Sequence, residues 1–217
     1  CERFLGIYRE DRCSGGELIS VYQDYLQDKD SKKKDLLLLH NREDIQNLPD
    51  LFSFLVYENI FQGNIQFQGA ELLVSDEIKK LCLKFSLPTS VPVPLKLNPK
   101  NFLLEIKEKS LHFTVPLYQG ELCYFFKDYK DYEFIPSEDR VVHKSLASMY
   151  PKEMREKAKA STAYQKMKTS FLPVFQKEEK VFKKTYQDKQ CFIPFQKNTF
   201  ERINPVEYLI DFLNVLT

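Results

Sequence analysis

The sequence predicts an α+β protein, with a helical N-terminal zone followed by a mainly antiparallel β zone and flanking helices. Three observations carry that expectation. Apolar residues recur at helical spacing from Leu18 to Leu48, they alternate with polar residues across much of 63–136, and a last stripe of Leu209, Ile210, Leu213 and Leu216 closes the chain. With 217 residues, 43% hydrophobic and 29% charged, the chain is long enough and apolar enough to bury a core, which excludes a disordered polymer.

Ser14-Gly15-Gly16-Glu17 is a capping box, in which the Ser14 side chain accepts a backbone N–H and Glu17 reaches back to the cap. A helix from about Glu17 to Gln27 follows, with Leu18, Ile19, Tyr22 and Leu26 at helical spacing. The Gly15-Gly16 pair lacks the six-residue glycine fingerprint and the preceding strand of a phosphate cradle, so it reads as part of the cap. After the charged turn Asp28 to Lys34, four leucines lead into His40-Asn41-Arg42-Glu43-Asp44 and on to Ile45 and Leu48. At 100° per residue Leu36, His40, Asp44 and Leu48 climb one face, while Arg42, Glu43 and Gln46 point elsewhere. A helix that buries this face carries His40 and Asp44 inward. Burying a carboxylate costs several kcal/mol unless a cation or hydrogen-bond donors compensate, which points to a metal site or a polar cleft. The plain alternative is an i, i+4 His-Asp pair at a helix edge. Pro49 should kink or end this helix, because it has no N–H for the carbonyl four residues back, and 50–61 supplies one more helical segment.

The period then changes to two. Leu81, Leu83, Phe85 and Leu87 alternate with Cys82, Lys84 and Ser86, and Leu111, Phe113, Val115 and Leu117 alternate with His112, Thr114 and Pro116. Similar runs at 65–74, 102–107 and 122–126 make five strands spaced for antiparallel hairpins. Pro88, Pro92, Pro94 and Pro99 confine the longest connection to an extended loop or edge. A small antiparallel sheet or partial barrel is the expected result.

From Lys144 to Gln190 there are twelve Lys or Arg against five Asp or Glu, a local net of +7 in a chain of net +1. Tyr164, Phe171, Phe175, Phe182 and Tyr186 interleave with them. Basic residues neutralise phosphates and aromatic faces stack on unpaired bases, so Lys157, Lys159, Tyr164, Lys166 and Lys168 are candidate contacts to single-stranded nucleic acid. The alternative is a solvated lysine face over an aromatic core. Asn204-Pro205-Val206-Glu207 then reads as cap, first-turn proline and third-position acid of a terminal helix that docks on the sheet. The five cysteines have no C-x-x-C spacing, so neither a disulfide framework nor a zinc site is indicated, and reduced cysteines in a cytoplasmic protein are expected. No run approaches the ~18 apolar residues of a membrane span.

Several stretches together resemble a known family. They are Phe4-Leu5-Gly6-Ile7-Tyr8-Arg9-Glu10-Asp11, Ser14-Gly15-Gly16-Glu17-Leu18-Ile19-Ser20-Val21-Tyr22, Leu38-Leu39-His40-Asn41-Arg42-Glu43-Asp44-Ile45 and Leu48-Pro49. The chain resembles the bacterial ribonuclease H-like, DnaQ-type 3'–5' exonuclease superfamily, and within it Firmicutes proteins that carry an additional C-terminal domain. Tyr118-Gln119-Gly120-Glu121-Leu122, Asp128-Tyr129-Lys130-Asp131-Tyr132, His143-Lys144-Ser145 and Phe171-Leu172-Pro173 are similar to that group as well. The resemblance implies Mg2+ or Mn2+ as cofactor, with Asp44 as a metal ligand and His40 as general base. Two such cations about 4 Å apart stabilise the attacking and leaving oxygens of a phosphodiester, and a neutral imidazole accepts the water's proton. His40 and Asp44 are separated by three residues, the spacing usual when Tyr rather than His occupies the first position.

The superfamily's first two motifs, an Asp-x-Glu on the opening strand and a later Asp, have no counterpart here. The resemblance therefore implies a C-terminal portion of a longer protein, catalytically incomplete by itself. Residues 1–62 would be the helical end of the nuclease domain and 63–217 a β-rich accessory domain. The Leu36/Leu37/Leu48 face would be covered by the missing N-terminal half or by a second copy. The competing class is a non-catalytic protein-interaction or structural module.

Overall fold

The computed structural model describes residues 2–75, 78–176, 180–196 and 198–216. After a 3-10 turn at Glu2–Leu5 come α1 (Gly15–Asp28), α2 (Ser31–Phe52) and α3 (Leu55–Phe61). The expected capping box opens α1, with the Ser14 side chain accepting from the Glu17 N–H and Glu17 bonding the Ser14 N–H at 2.7 Å. Asp30 caps α2 by accepting from the Lys32 N–H at 3.0 Å. Pro49 does not end α2, contrary to the sequence expectation, and the helix runs to Phe52. Only the Ile45 carbonyl loses its donor, on a side where both Ile45 and Pro49 are exposed, so water supplies the missing bond.

Gly63, at φ +75°, follows α3 in the left-handed conformation that ends helices. A Cβ there would lie 3.2 Å from Ile210 Cδ1, so the position is both strained and crowded for any other residue. The strands follow: β1 (Gln66–Ser75), β2 (Ile78–Ser86), β3 (Leu95–Leu97), β4 (Leu103–Lys107), β5 (Ser110–Pro116), β6 (Tyr118–Phe125), β7 (Tyr132–Ile135) and β8 (Arg140–His143). The short helix α4 (Lys144–Ala147) precedes β9 (Glu156–Lys157), β10 (Tyr164–Val174), β11 (Phe182–Lys183) and β12 (Cys191–Pro194), and α5 (Thr199–Arg202) and α6 (Pro205–Leu216) end the chain.

The fold is α+β as expected, and every strand pair is antiparallel. The main sheet has the order β1-β2-β5-β4-β3, a second group β10-β12-β11-β6 closes into a small barrel, and β8-β7-β9 form a third sheet. The five strands read from alternation are β1, β2, β4, β5 and β6; β3 and the strands after residue 130 are additional. Leu81, Leu83 and Phe85 of β2 and Leu111, Phe113 and Val115 of β5 point into one core with Val56, Tyr57 and Ile60 of α3 and Tyr208, Leu209, Phe212 and Leu213 of α6. The core therefore runs across residue 62. Asn204 caps α6 by accepting from the Val206 N–H at 3.0 Å. The buried stripe of α6 is rotated from the expected one: Tyr208 and Phe212 are inside and Leu216 is exposed, because the two large rings meet Phe113 and Phe102 across the sheet.

Strand β10 joins the sheet core to the barrel through its alternation. Leu172 faces the main core, while its neighbour Phe171 fills the barrel with Leu122, Phe182 and Phe192. Tyr208 donates its hydroxyl to the Pro173 carbonyl at 2.7 Å, a fully buried bond between α6 and β10.

Candidate functional site

The segment 9–13 lies along α2 because α2 supplies acceptors for it. Glu43 Oε1 accepts the Glu10 N–H at 2.7 Å and Oε2 the Asp11 N–H at 3.2 Å, so one carboxylate satisfies two backbone donors in a stretch with no regular structure. Asp11 is thereby placed against His40. Its side chain is 1% exposed; Oδ1 accepts the Cys13 N–H at 2.8 Å and Oδ2 meets His40 Nδ1. The Cys13 N–H, followed by the bond to His40, holds the Asp11 carboxyl below its ordinary pKa.

One helical turn on, Asp44 Oδ2 stands 3.3 Å from His40 Nε2, and its Oδ1 pairs with the Arg9 guanidinium. Arg9 also donates to the His40 carbonyl at 3.4 Å, and its buried Nε, which makes no hydrogen bond among the described residues, lies 3.6 Å from Glu43 Oε2. Burial opposes the charge on Arg9, but the bond to Asp44 and the carboxylates of Asp44, Glu2 and Glu43 outweigh it and raise the pKa. The imidazole thus sits between two carboxylates of different character. Asp11 is buried and orients the ring through Nδ1, whereas Asp44 is half-exposed beside Nε2. A neutral ring that donates Nδ1–H to Asp11 keeps its Nε2 lone pair free to accept a proton.

Two sequence expectations are corrected here. His40 is only partly buried, and the Asp44 side chain is 51% exposed instead of pointing into a core. Leu48 is 49% exposed, along with Leu38, Ile45, Phe52 and Leu55, while Leu36 and Leu37 are half-covered. The physical reason is Arg9: a cation from the preceding segment neutralises Asp44 at the surface, so the helix has no need to bury it. Glu43, which the helical projection had pointing away from the site, faces segment 9–11 and helps to build it. Arg9, Asp11 and Glu43 were not singled out from the sequence. The only signal for them is an Arg-x-Asp facing a helix with acids at i+3 and i+4 from a His, a pattern too common to be decisive.

Residues 1–56 match the ribonuclease H superfamily. The matched region is about a quarter of the chain and contains every residue of this site. No curated protein and no solved structure matches the chain. The ribonuclease H-like stretch thus comprises the first turn, α1, α2 and the beginning of α3.

Among the described residues no three His, Cys, Asp or Glu side chains converge as a metal site. With one half-exposed carboxylate already paired to Arg9, this donor set does not fit a pair of divalent cations. The four described cysteines, Cys13, Cys82, Cys123 and Cys191, are free thiols. No described helix is long and apolar enough to cross a membrane.

The candidate nucleic-acid residues lie on β9, on the turn after it and on β10. Lys157, Lys159 and Lys168 are exposed. Lys166 is engaged instead: its ammonium pairs with Asp139 and lies 3.5 Å from Glu121, which raises its pKa. Tyr164 gives its hydroxyl to the same Asp139 and sets its ring edge-on to Phe125 at 5.6 Å. Burial and the bond to Asp139 push the Tyr164 hydroxyl up to about 12. Of the interleaved aromatics, Phe171 and Phe182 fill the barrel and Phe175 packs on the main core. His143, left unassigned from the sequence, is exposed and caps α4 by accepting the Ser145 N–H at 3.3 Å.

Proposed function

We propose that this chain is part of a metal-dependent 3'–5' exonuclease-like protein that processes nucleic acid, incomplete as a catalyst by itself, with residues 63–217 as an accessory domain. The observation that supports this reading is the Asp11-His40-Asp44 alignment inside the ribonuclease H-like stretch. A water hydrogen-bonded beside Asp44 would lose its proton to His40 Nε2, and Asp11 would hold the ring and balance the imidazolium that forms. Such proton transfer contributes about 10²–10⁴-fold to a rate. The Mg2+ or Mn2+ that the resemblance implies would need donors beyond Asp44, and these are not among the described residues.

The isolated chain is accordingly expected to leave labelled single-stranded DNA intact with Mg2+ or Mn2+. Joined to a segment that carries an Asp-x-Glu strand, it should degrade the strand and lose that activity on Asp44→Asn. Chelator-sensitive degradation by the isolated chain would overturn the incompleteness.

The exposed Leu38, Ile45, Leu48, Phe52 and Leu55 support a second part of the reading, in which the rest of the nuclease domain covers α2. Contiguous apolar surface of this kind invites a partner. Without that cover, the purified chain should self-associate, giving a mass in solution above its 25.7 kDa, and Ile45→Glu should return it towards monomer. A monomer indifferent to Ile45→Glu would mean that the face tolerates water.

A further inference from the structure

Strand β10 has two faces. Tyr164, Lys166 and Lys168 lie on one, and Gln165 and Met167 on the other line an open cleft of about 1060 Å³ between the small barrel and the α5–α6 corner. One wall of the cleft, just after β6 and at the start of β7, is aromatic: Phe126 stacks on Tyr132 with ring centres 4.7 Å apart and planes 12° apart. Lys180 and Arg202 also line it, and among the described residues neither has an ion-pair or hydrogen-bond partner. Three carboxylates, Asp128, Glu207 and Asp211, share the space, and Asp211 accepts from Gln176.

Aromatic rings with cations beside them are the chemistry that holds a base and its phosphate. The carboxylates narrow the choice. They oppose a continuous track of phosphates, but a carboxylate accepts from the exocyclic amino group of cytosine, as it can from those of adenine and guanine, whereas thymine has no amino group and offers only its ring N3–H. We propose that this cleft binds one unpaired nucleotide with an amino-bearing base, stacked at Phe126 and Tyr132, with its amino group towards Asp211 and Glu207 and its phosphate on Arg202 and Lys180. The choice of a nucleotide as ligand rests on the nucleic-acid reading above. The nucleotide comes either from a strand end or as a free monophosphate.

Fluorescence anisotropy on the full chain, with short labelled oligo-dC and oligo-dT at low salt, tests the proposal. Oligo-dC binds more tightly than oligo-dT, and K180E/R202E weakens it by at least roughly tenfold, the size of one lost specific contact. The same charge change made by K107E/K109E at the exposed β4–β5 turn leaves binding unchanged. Displacement by cytidine monophosphate at comparable concentration identifies free nucleotide as the ligand, and displacement by unlabelled oligo-dC alone identifies a strand end. Equal affinity for dC and dT overturns the readout of the amino group. Binding that survives K180E/R202E and disappears in K157E/K159E/K168E overturns the cleft and leaves the nucleic-acid reading standing. No binding of any probe overturns both the cleft and a nucleic-acid role for residues 63–217.

Discussion

Phe113→Ala is expected to lower the unfolding free energy by about 3–5 kcal/mol, a large part of the roughly 5–15 kcal/mol that holds a typical domain together. Phe113 is fully buried in the middle of β5, opposite Leu83 of β2 and Leu104 of β4. Its ring meets Phe212 at 4.5 Å and both Phe102 and Tyr208 at 6.2 Å, so it joins the central sheet to α6. Alanine would leave a cavity walled by three rings, Tyr208 and Phe212 of α6 and Phe102 just before β4, and paired strands cannot close on it without breaking register. Urea titration of wild type and variant measures the effect. A loss below about 1.5 kcal/mol would mean that α6 collapses into the space, as at sites that relax well.

The second large effect is expected at Asp11. Asp11→Ala removes the acceptor of the Cys13 N–H and the partner of His40 Nδ1, leaving two part-buried donors without their partners. Each unsatisfied buried donor costs about 1–3 kcal/mol, and because both of these are only part-buried the loss should fall in the lower part of that sum, about 2–4 kcal/mol. The wild type should also carry a pH signature. The folded-state pKa of Asp11 lies below the ordinary 3.8, so its contribution is fully present above that value and disappears as pH falls through the lower, folded value. Asp11→Asn should flatten the acid limb of the stability curve below about pH 4, with its loss of stability largest in the neutral region and shrinking as pH falls. Nitrogen NMR of His40 gives an independent readout, since the wild type should hold the proton on Nδ1 in the neutral ring and Asp11→Asn should release that preference. A neutral ring with its proton on Nε2 in the wild type would remove Asp11 from its orienting role.

Local patterns in the sequence carried much of the architecture. The Ser14-Glu17 box, the period-two runs of β2 and β5 and the Asn204-Pro205 start of α6 each rely on contacts within a few residues or on a repeat that places alternate side chains on one face. Alternation also specified the core face of β2 and β5, although Cys82 and Thr114 on the opposite face are buried as well. The strands after residue 130 were not legible: β7, β8, β9, β11 and β12 are two to four residues long, too short to show a period, and β10, although eleven residues long, carries no apolar–polar alternation. Their pairing is long-range: β10 finds β6 about forty residues back, and it closes a barrel only when β11 and β12 arrive.

The candidate site divides in the same way. His40 and Asp44 share a helix face by helical geometry alone, so the sequence determined that they would be neighbours, and the Nε2 to Oδ2 separation of 3.3 Å agrees. It could not determine which way that face points. The orientation was decided by tertiary contacts 29 to 35 residues apart in the chain, with Glu43 holding the backbone of Glu10 and Asp11, Asp11 holding His40, and Arg9 neutralising Asp44 at the surface. A hydrophobic pattern weighs only the cost of wetting leucines. A carboxylate that finds a cation outside the core no longer needs a buried partner, and whether that cation is present depends on where a remote, irregular segment of chain comes to rest.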